Sequence, residues 1–270
     1  MAAAVAVYAA TALLTHRYRI QDYYSSLESR LGYSLFLGNT RHCGFYWGRQ
    51  AWPLKINQAL RAIEEKLYDR LVLPPGSTVL DARAGSGHVA IHIARKELFV
   101  NAIDITPHYL KDAKKNVRAN QLESRIKVEY GDYHNLEHKF PENHFDGIYT
   151  MKTFVHANDP ATVLRNFFQL LKPGGTLVLH EAEFRRNSPR LQEVLRLSHC
   201  QNTLEEGNYK RLIEEAGFTD FSLKDLSDNV LKIVGQQQRF PNIMAGVEAW
   251  LHWEDGRYIS VRAIKPLPTL

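Results

Sequence analysis

Cysteine is scarce in this chain, since Cys43 and Cys200 are its only two among 270 residues and they lie far apart. Two distant cysteines form neither a disulfide framework nor a metal-ligand spacing. Their scarcity predicts a protein of a reducing compartment.

Long apolar runs are lacking as well. The apolar stretch at the start, from Ala2 to Leu14, is shorter than the ~20 residues that a membrane-spanning helix needs. It also lacks the basic region and the clear cleavage pattern of a signal peptide. We therefore expect no transmembrane segment, and a first helix that packs on the protein or rests weakly on a membrane surface.

Neither sign of charge dominates the sequence. Lysine and arginine number 34 against 29 acidic residues, the net charge is +5, and the basic residues are scattered. This pattern predicts a solvated, mildly basic surface and no nucleic-acid partner. With 44% hydrophobic residues and no repeat or low-complexity linker, the chain has an ordinary globular composition. We expect a cytoplasmic protein, with peripheral membrane contact and homodimerisation left open.

Strand-like and helical patterns alternate along most of the chain. This rhythm predicts an α/β fold with a mostly parallel, seven-stranded sheet and helices on both faces. The predicted strands are 78–82, 99–104, 126–130, 145–151, 176–181, 218–226 and 257–264. The predicted helices between them are 86–96, 106–121, 160–171 and 204–216. We expect residues 1–53 to form a helical lid, and 54–270 to form the core with a helical cap inserted at about 228–256.

Acidic side chains follow the first three predicted strands. Asp81 precedes a small-residue turn with Gly85 and Gly87, Asp104 ends the second strand, and Gly131-Asp132 follows the third. In an open parallel sheet, ligands bind beyond the carboxyl ends of the strands. Glycines allow a ligand to lie directly against the backbone, and the carboxylate of Asp104 suits ribose hydroxyls. The sequence therefore predicts a nucleotide-type site at this edge.

The joint order of these loops resembles the class I S-adenosylmethionine-dependent methyltransferases. That family has a glycine-rich first loop, an acid ending the second strand, Gly-Asp after the third, and Lys-Pro-Gly-Gly before the fifth, as at 172–175 here. The resemblance covers about 54–264 and implies a Rossmann-like fold and S-adenosylmethionine as cofactor, with S-adenosylhomocysteine as product. The cofactor-binding residues that it implies are Asp81, Ala82, Arg83, Gly85, Gly87, Asp104, Ile105, Gly131, Asp132, Tyr133 and Met151.

A narrower likeness lies in the first 50 residues and after the fourth strand. The segment Arg41-His-Cys-Gly-Phe-Tyr-Trp47 resembles the one that precedes the core in the sterol side-chain and quinone C-methyltransferase group, and His156-Ala157 also matches. Lys152, however, stands where sterol enzymes carry an acid. Since a cation opposes a carbocation intermediate, we expect a smaller apolar metabolite, methylated on oxygen, nitrogen or an enolic carbon. The residues that we expect to form the lid and substrate wall are Tyr23, Tyr24, His42, Phe45, Tyr46, Trp47 and Lys152.

Two residues are candidate catalytic bases for such a reaction. His156 follows the fourth strand, and an unperturbed imidazole titrates near pH ~6.5. Glu181 ends the fifth strand. Structural roles for both residues stay open. His134, His138 and His144 have a spacing that could hold metal if helical, but they surround Pro141 in a predicted surface loop, so we expect no metal site.

Arg83 is the departure from the family pattern, because the loop reads Asp81-Ala-Arg-Ala-Gly-Ser-Gly87 where the family has a glycine in place of the arginine. The side chain could crowd the site or pair with the cofactor carboxylate. Two functions follow. The chain is an S-adenosylmethionine-dependent methyltransferase of secondary metabolism, or it has lost methyl transfer and uses the fold for a cyclisation, an isomerisation or ligand binding.

Overall fold

The computed structural model describes residues 44–45, 56–184, 205–230 and 256–268. Within these ranges seven strands form one sheet. The strands are β1 (Thr78–Ala82), β2 (Phe99–Asp104), β3 (Ile126–Tyr130), β4 (Phe145–Met151), β5 (Leu171–Phe184), β6 (Thr219–Asp225) and β7 (Gly256–Ile264). The helices are α1 (Ile56–Leu71), α2 (His88–Ala94), α3 (Pro107–Ala119), α4 (Pro160–Leu170), α5 (Asn208–Glu215) and α6 (Ser227–Val230).

The sheet is parallel except for one strand. Its order is β3-β2-β1-β4-β5-β7-β6, and β7 runs antiparallel to both of its neighbours. β1 lies at the centre between β2 and β4, so the loops that follow these three strands meet at one edge. The predicted α/β, mostly parallel, seven-stranded sheet is confirmed.

Local sequence signals set the helix starts. Asp159 caps α4, because its side chain accepts a hydrogen bond from Thr162 N at 3.0 Å, and Pro160 occupies the first turn. Thr106 and Pro107 start α3 in the same way, although the Thr106 side chain makes no capping bond. Both helices are amphipathic, so each buries one face on the sheet.

The core lies on the two faces of the sheet. Successive strand residues point to opposite faces, which assigns Leu80 and Leu177 to one buried cluster and Val79 and Val178 to the other. Helix α4 covers the first face and helices α1 and α2 cover the second. Apolar residues on both sides explain why the central strands read as continuous hydrophobic runs.

The bounds of β5 and α5 differ most from the prediction. β5 begins at Leu171 rather than at 176, because Leu171 pairs with Phe145 before a register shift and Gly175 O accepts a bond from Lys265 N at 2.9 Å. The predicted helix 204–216 is described only as α5, from Asn208 to Glu215. The predicted lid 1–53, apart from residues 44–45, and most of the cap at 228–256 lie outside the described residues.

The described helices are all too short to cross a lipid bilayer. The longest of them, α1, has 16 residues.

The second glycine of Lys172-Pro-Gly-Gly175 tests why the sequence needs glycine near the start of β5. A Cβ at Gly175 would lie 2.7 Å from Lys172 O, a backbone atom, so the turn itself would have to move. We expect Gly175→Ala to lower the free energy of unfolding by about 1–3 kcal/mol. Chemical denaturation measures this loss. Pro173→Ala, in the exposed part of the same turn, is the control and should cost about 1 kcal/mol or less; equal losses would contradict the backbone explanation.

Candidate functional site

A cavity opens at the carboxyl edge of the sheet, over the ends of β1, β2 and β4. It brings together several of the predicted residues from three separate loops, together with residues that the sequence did not single out. Its lining residues are Asp81, Arg83, Ala84, Gly85, Ser86, His88, Val89, Asp104, Thr106, Tyr109, Met151, Lys152, Thr153 and His156.

The loop after β1 is held against the end of β2. The backbone N–H groups of Arg83 and Ala84 both donate to Ile103 O at 2.9 Å, and Gly85 N donates to Asp104 Oδ2 at 3.0 Å. The other carboxylate oxygen of Asp104 accepts from Thr106 N at 2.8 Å. Asp104 therefore fixes two loops at once and still faces the cavity with its remaining lone pairs.

Arg83 occupies a backbone conformation that glycine adopts without strain. Its φ angle is +87°, in the left-handed region, like those of Gly85 at +53° and Gly87 at +81°. A non-glycine residue in this region costs about 1–3 kcal/mol. At Gly87 a side chain would also meet helix α3, because its Cβ would lie 3.2 Å from Ala113 Cβ. The loop thus keeps two glycines where they are needed and carries strain at the third position.

Asp81 is buried and holds a proton at neutral pH. Burial raises its pKa to about 8, the charge of Asp104 acts in the same direction, and the hydrogen bond from Tyr149 OH, at 3.0 Å, opposes the rise. Tyr149 lies beside Asp81 because the two residues are register partners in β1 and β4. The cavity therefore contains one neutral acid next to one that anchors loops.

Asp132 and Tyr133 follow β3 and interact with Arg83, which lines the cavity, but do not line it themselves. Asp132 Oδ1 accepts from His134 N at 3.1 Å and lies 2.8 Å from His134 Nδ1. Burial would raise the pKa of Asp132, but His134 and the charge of Arg83 lower it to about 2. The Arg83 guanidinium carbon lies 4.8 Å from the Tyr133 ring centre, and Tyr133 OH donates to Thr153 O at 3.0 Å. The predicted adenine contacts of these residues stay a prediction.

The turn after β4 forms the opposite end of the cavity. Lys152 has a φ angle of +56° and its N–H donates to His180 O at 2.8 Å. His156 follows in a short 3-10 helix, Phe154–His156, and is 4% exposed. Lys152 and His156 both line the cavity, so the predicted substrate-wall residue and the predicted base lie at one site.

Glu181 is fully buried behind that turn rather than in the cavity lining of the described residues. Its Oε1 accepts hydrogen bonds from Thr150 Oγ1 at 2.7 Å and from the backbone N–H groups of Thr153 and Phe154 at 3.0 Å. Burial raises its pKa to about 7, against the lowering effect of these hydrogen bonds and of Lys152. Glu181 thus holds the turn that carries Lys152 and His156. Its predicted role as a base stays a prediction.

Phe45 is the one predicted lid residue within the described ranges. It is buried against α1, with its N–H donating to Ala59 O at 2.8 Å and Lys66 Nζ 5.7 Å from its ring centre. Packing on the core therefore accounts for this aromatic residue. The other lid residues, Tyr23, Tyr24, His42, Tyr46 and Trp47, lie outside the described residues.

Some residues of the site carried no sequence signal. Ser86, Thr106 and Thr153 are common polar residues, and Tyr149 reads as one position in a buried strand. Only the register of β1 and β4 shows that Tyr149 meets Asp81. The remaining predicted cofactor residues, Ala82, Gly87, Ile105 and Gly131, belong to the loops around the cavity, and Gly131 N donates to Asp104 O at 3.1 Å. No group of three metal-ligating side chains occurs in the described ranges.

Comparison with known protein families gives a match over more than half of the chain. A family described as "Methyltransferase domain" matches residues 73–238. The S-adenosyl-L-methionine-dependent Diels-Alderase iccD of Talaromyces variabilis is 35% identical over 277 residues, which cover 92% of this chain and 94% of the relative.

Solved structures share the fold at low sequence identity. A geranyl diphosphate methyltransferase, solved in complex with GPP and sinefungin, superposes with a TM-score of 0.82 at 15% identity, over 93% of this chain and 99% of that one. The [4+2]-cyclase SpnF superposes with a TM-score of 0.70 at 20% identity, over 88% of this chain and 96% of that one. The same fold therefore occurs in a methyltransferase and in a cyclase.

Asp81 makes a specific contribution to the pH dependence of stability. Its pKa is raised from 3.8 to about 8 in the folded chain, so between these values the folded state holds a proton that the unfolded state releases. Stability therefore falls as pH rises through this window, by at most about 1.4 kcal/mol per pH unit. We expect Asp81→Asn to remove this contribution. Urea denaturation at pH 5, 6, 7 and 8 measures it as the difference between wild type and variant; parallel curves would contradict it.

Glu181 is tested by comparing two substitutions. Glu181→Ala leaves three buried donors without their acceptor, and we expect a loss of about 2–4 kcal/mol in the free energy of unfolding. Glu181→Gln keeps an acceptor oxygen and should lose about 1 kcal/mol or less. Glu123→Ala, on the exposed surface, is the control. Equal losses for the two Glu181 variants would show that the hydrogen bonds do not hold the turn.

Proposed function

Because the chain belongs to the class I methyltransferase family, we propose that it binds S-adenosylmethionine and catalyses an intramolecular [4+2] cyclisation of a small, unsaturated metabolite. The observation that carries this proposal is the 35% identity, over 92% of the chain, to a relative named an S-adenosyl-L-methionine-dependent Diels-Alderase. The predicted family and cofactor agree with that name. The narrower likeness to the sterol and quinone group stays a prediction.

The described residues fit the cofactor chemically. Asp104 presents carboxylate lone pairs at the end of β2, where ribose hydroxyls need acceptors, and Gly85, whose N–H bonds to Asp104, adds no side chain beside it. Asp81 lies near Asp104, and a cationic group such as a sulfonium would favour its ionised form. Met151 supplies an apolar wall from the end of β4. When bound, S-adenosylmethionine would supply a fixed sulfonium charge in this cavity.

A [4+2] cyclisation balances without any other reactant. The four carbons of a diene and the two of an alkene in one molecule form two new σ bonds as two π bonds are lost. No atom or proton enters or leaves, so the product is an isomer of the substrate. The enzyme therefore has to fold the substrate into a reactive conformation, exclude water and polarise the alkene.

The residues at the end of β4 support this proposal. Lys152 and His156 line the cavity on a turn that Glu181 holds through two backbone hydrogen bonds. A cation or a hydrogen-bond donor there can withdraw electron density from a carbonyl conjugated to the reacting alkene. The fixed turn keeps that donor in one position, which is what electrostatic catalysis requires.

Methyl transfer to oxygen, nitrogen or carbon of a small apolar metabolite is the second candidate. His156 favours it, since this imidazole lines the cavity and is able to accept a proton from a nucleophile. The two candidates differ in what happens to the cofactor: methylation consumes it, whereas cyclisation leaves it unchanged. The cytoplasmic location, the apolar substrate, the weak membrane contact and the homodimer stay predictions.

Cofactor binding is the first test of this proposal. We expect calorimetry to detect binding of S-adenosylmethionine and S-adenosylhomocysteine to the purified chain. Asp104→Ala should weaken the binding of both compounds by about 100-fold. The variant removes the charged acceptor proposed for the two ribose hydroxyls. Asp112→Ala, an exposed acid on α3, is the matched control and should bind normally. No binding of either compound at millimolar concentration would overturn the proposal.

The reaction itself is read by mass. Linear trienes that carry both a conjugated alkene and a methyl acceptor, such as undeca-2,8,10-trienoic acid with its carboxylate, are incubated with the protein and S-adenosylmethionine. We expect cyclic products of unchanged mass, faster than without protein, and no formation of S-adenosylhomocysteine. Products heavier by one methylene unit, with S-adenosylhomocysteine formed in equal amount, would instead establish the second candidate.

A further inference from the structure

Two cations of the cavity share an unusual backbone feature. Arg83 and Lys152 are both non-glycine residues in the left-handed region, with φ angles of +87° and +56°. They come from different loops, after β1 and after β4, yet both line the same cavity. Strained residues of this kind cluster at functional sites, because a stable fold alone would not select them.

Main-chain hydrogen bonds fix both positions. Arg83 N donates to Ile103 O at 2.9 Å, and Lys152 N donates to His180 O at 2.8 Å. Glycine would adopt either conformation without strain and would keep these bonds. The loops therefore account for the left-handed backbone, and each cation has acidic neighbours: the charge of Arg83 acts on Asp132, and the charge of Lys152 acts on Glu181.

A set of contacts connects Arg83 with the turn after β4, which carries Lys152. The Arg83 guanidinium lies over Tyr133, whose OH donates to Thr153 O at 3.0 Å, and Thr153 follows Lys152 directly. The Thr153 side chain in turn reaches Ala82 O at 3.4 Å, next to Arg83. One compact set of contacts thus connects the two loops. An arginine stacked on an aromatic ring still donates in its own plane to an oxyanion.

We propose that Arg83 and Lys152 form an oxyanion site for the substrate, and that the substrate carries an acidic enol or a carboxylate there. This inference rests on the proposed cyclisation and names its substrate class. An enolate or carboxyl oxygen held between two cations fixes one end of the molecule and draws electron density from a conjugated alkene. The carboxylate of the cofactor is the other anion that these two cations would bind, and the experiment distinguishes it from an anion of the substrate.

The test uses two probes of nearly the same shape. 2-Acetylcyclohexane-1,3-dione is an anion at neutral pH, whereas its enol methyl ether is neutral. We expect the full chain, saturated with S-adenosylhomocysteine, to bind the acid at least tenfold more tightly than the ether in calorimetry. Arg83→Gln and Lys152→Gln should each weaken binding of the acid about tenfold and leave the ether unchanged. Equal affinity for the two probes, or binding of neither, overturns the inference.

Two control variants distinguish an oxyanion site from a general effect of positive charge and from an effect of backbone strain. Lys224→Gln, on the exposed face of β6, removes the same charge at a distance and should leave the preference for the acid intact. Lys152→Gly should be at least as heat-stable as wild type, because glycine relieves the strain, and should still lose the preference for the acid. If Lys152→Gly keeps that preference, or Lys224→Gln loses it, the inference is wrong.

A comparison of cofactors assigns Arg83 to one partner. If Arg83 instead holds the cofactor carboxylate, Arg83→Gln will weaken binding of S-adenosylmethionine but not of decarboxylated S-adenosylmethionine, and the inference fails for this residue. We expect the ratio of the two affinities to be the same in variant and wild type. A chain that does not bind S-adenosylhomocysteine at all contradicts the proposed function, whereas one that binds it without an acid preference contradicts only this inference.

Discussion

The hydrogen bonds of Asp104 are the constraint on which the site depends. One oxygen of its carboxylate accepts from Gly85 N and the other from Thr106 N, so the loop after β1 and the loop after β2 are fixed to the same side chain. Because β1 and β2 are parallel neighbours, their carboxyl ends already lie close together. The carboxylate converts this proximity into one defined geometry. In the same loop, the N–H of Arg83 holds its left-handed backbone by donating to Ile103 O.

A second buried carboxylate repeats this arrangement at the other end of the cavity. Glu181 gathers three donors at the end of β4, and Thr153 connects that turn to Tyr133 through a 3.0 Å hydrogen bond. Arg83 then lies over Tyr133. The loop after β1 and the turn after β4 are therefore joined through Tyr133 and Thr153.

The residues whose location follows from their position at the ends of strands were predictable from the sequence. Asp81 and Asp104 end strands, Gly85 and Gly87 follow the first strand, and a parallel sheet brings such loops to one edge. Contacts that depend on strand register were not predictable, and Tyr149 against Asp81 is the clearest case. Glu181 was predictable only as an acid at the end of a strand, because the three donors that converge on it come from β4 and from the turn after it. Strain at Lys152 was also hidden, since lysine carries no signal for a left-handed backbone.

The raised pKa of Asp81 couples the binding of a cation in this cavity to the release of a proton. Burial raises that pKa to about 8, and the hydrogen bond from Tyr149 OH holds the carboxyl in place. An arriving cation stabilises the ionised carboxylate and displaces that proton to solvent. One positive charge then replaces another, and the total charge of the buried site stays nearly constant. Neutral and cationic ligands of the same shape therefore bind with different proton stoichiometry, although they contact the same residues.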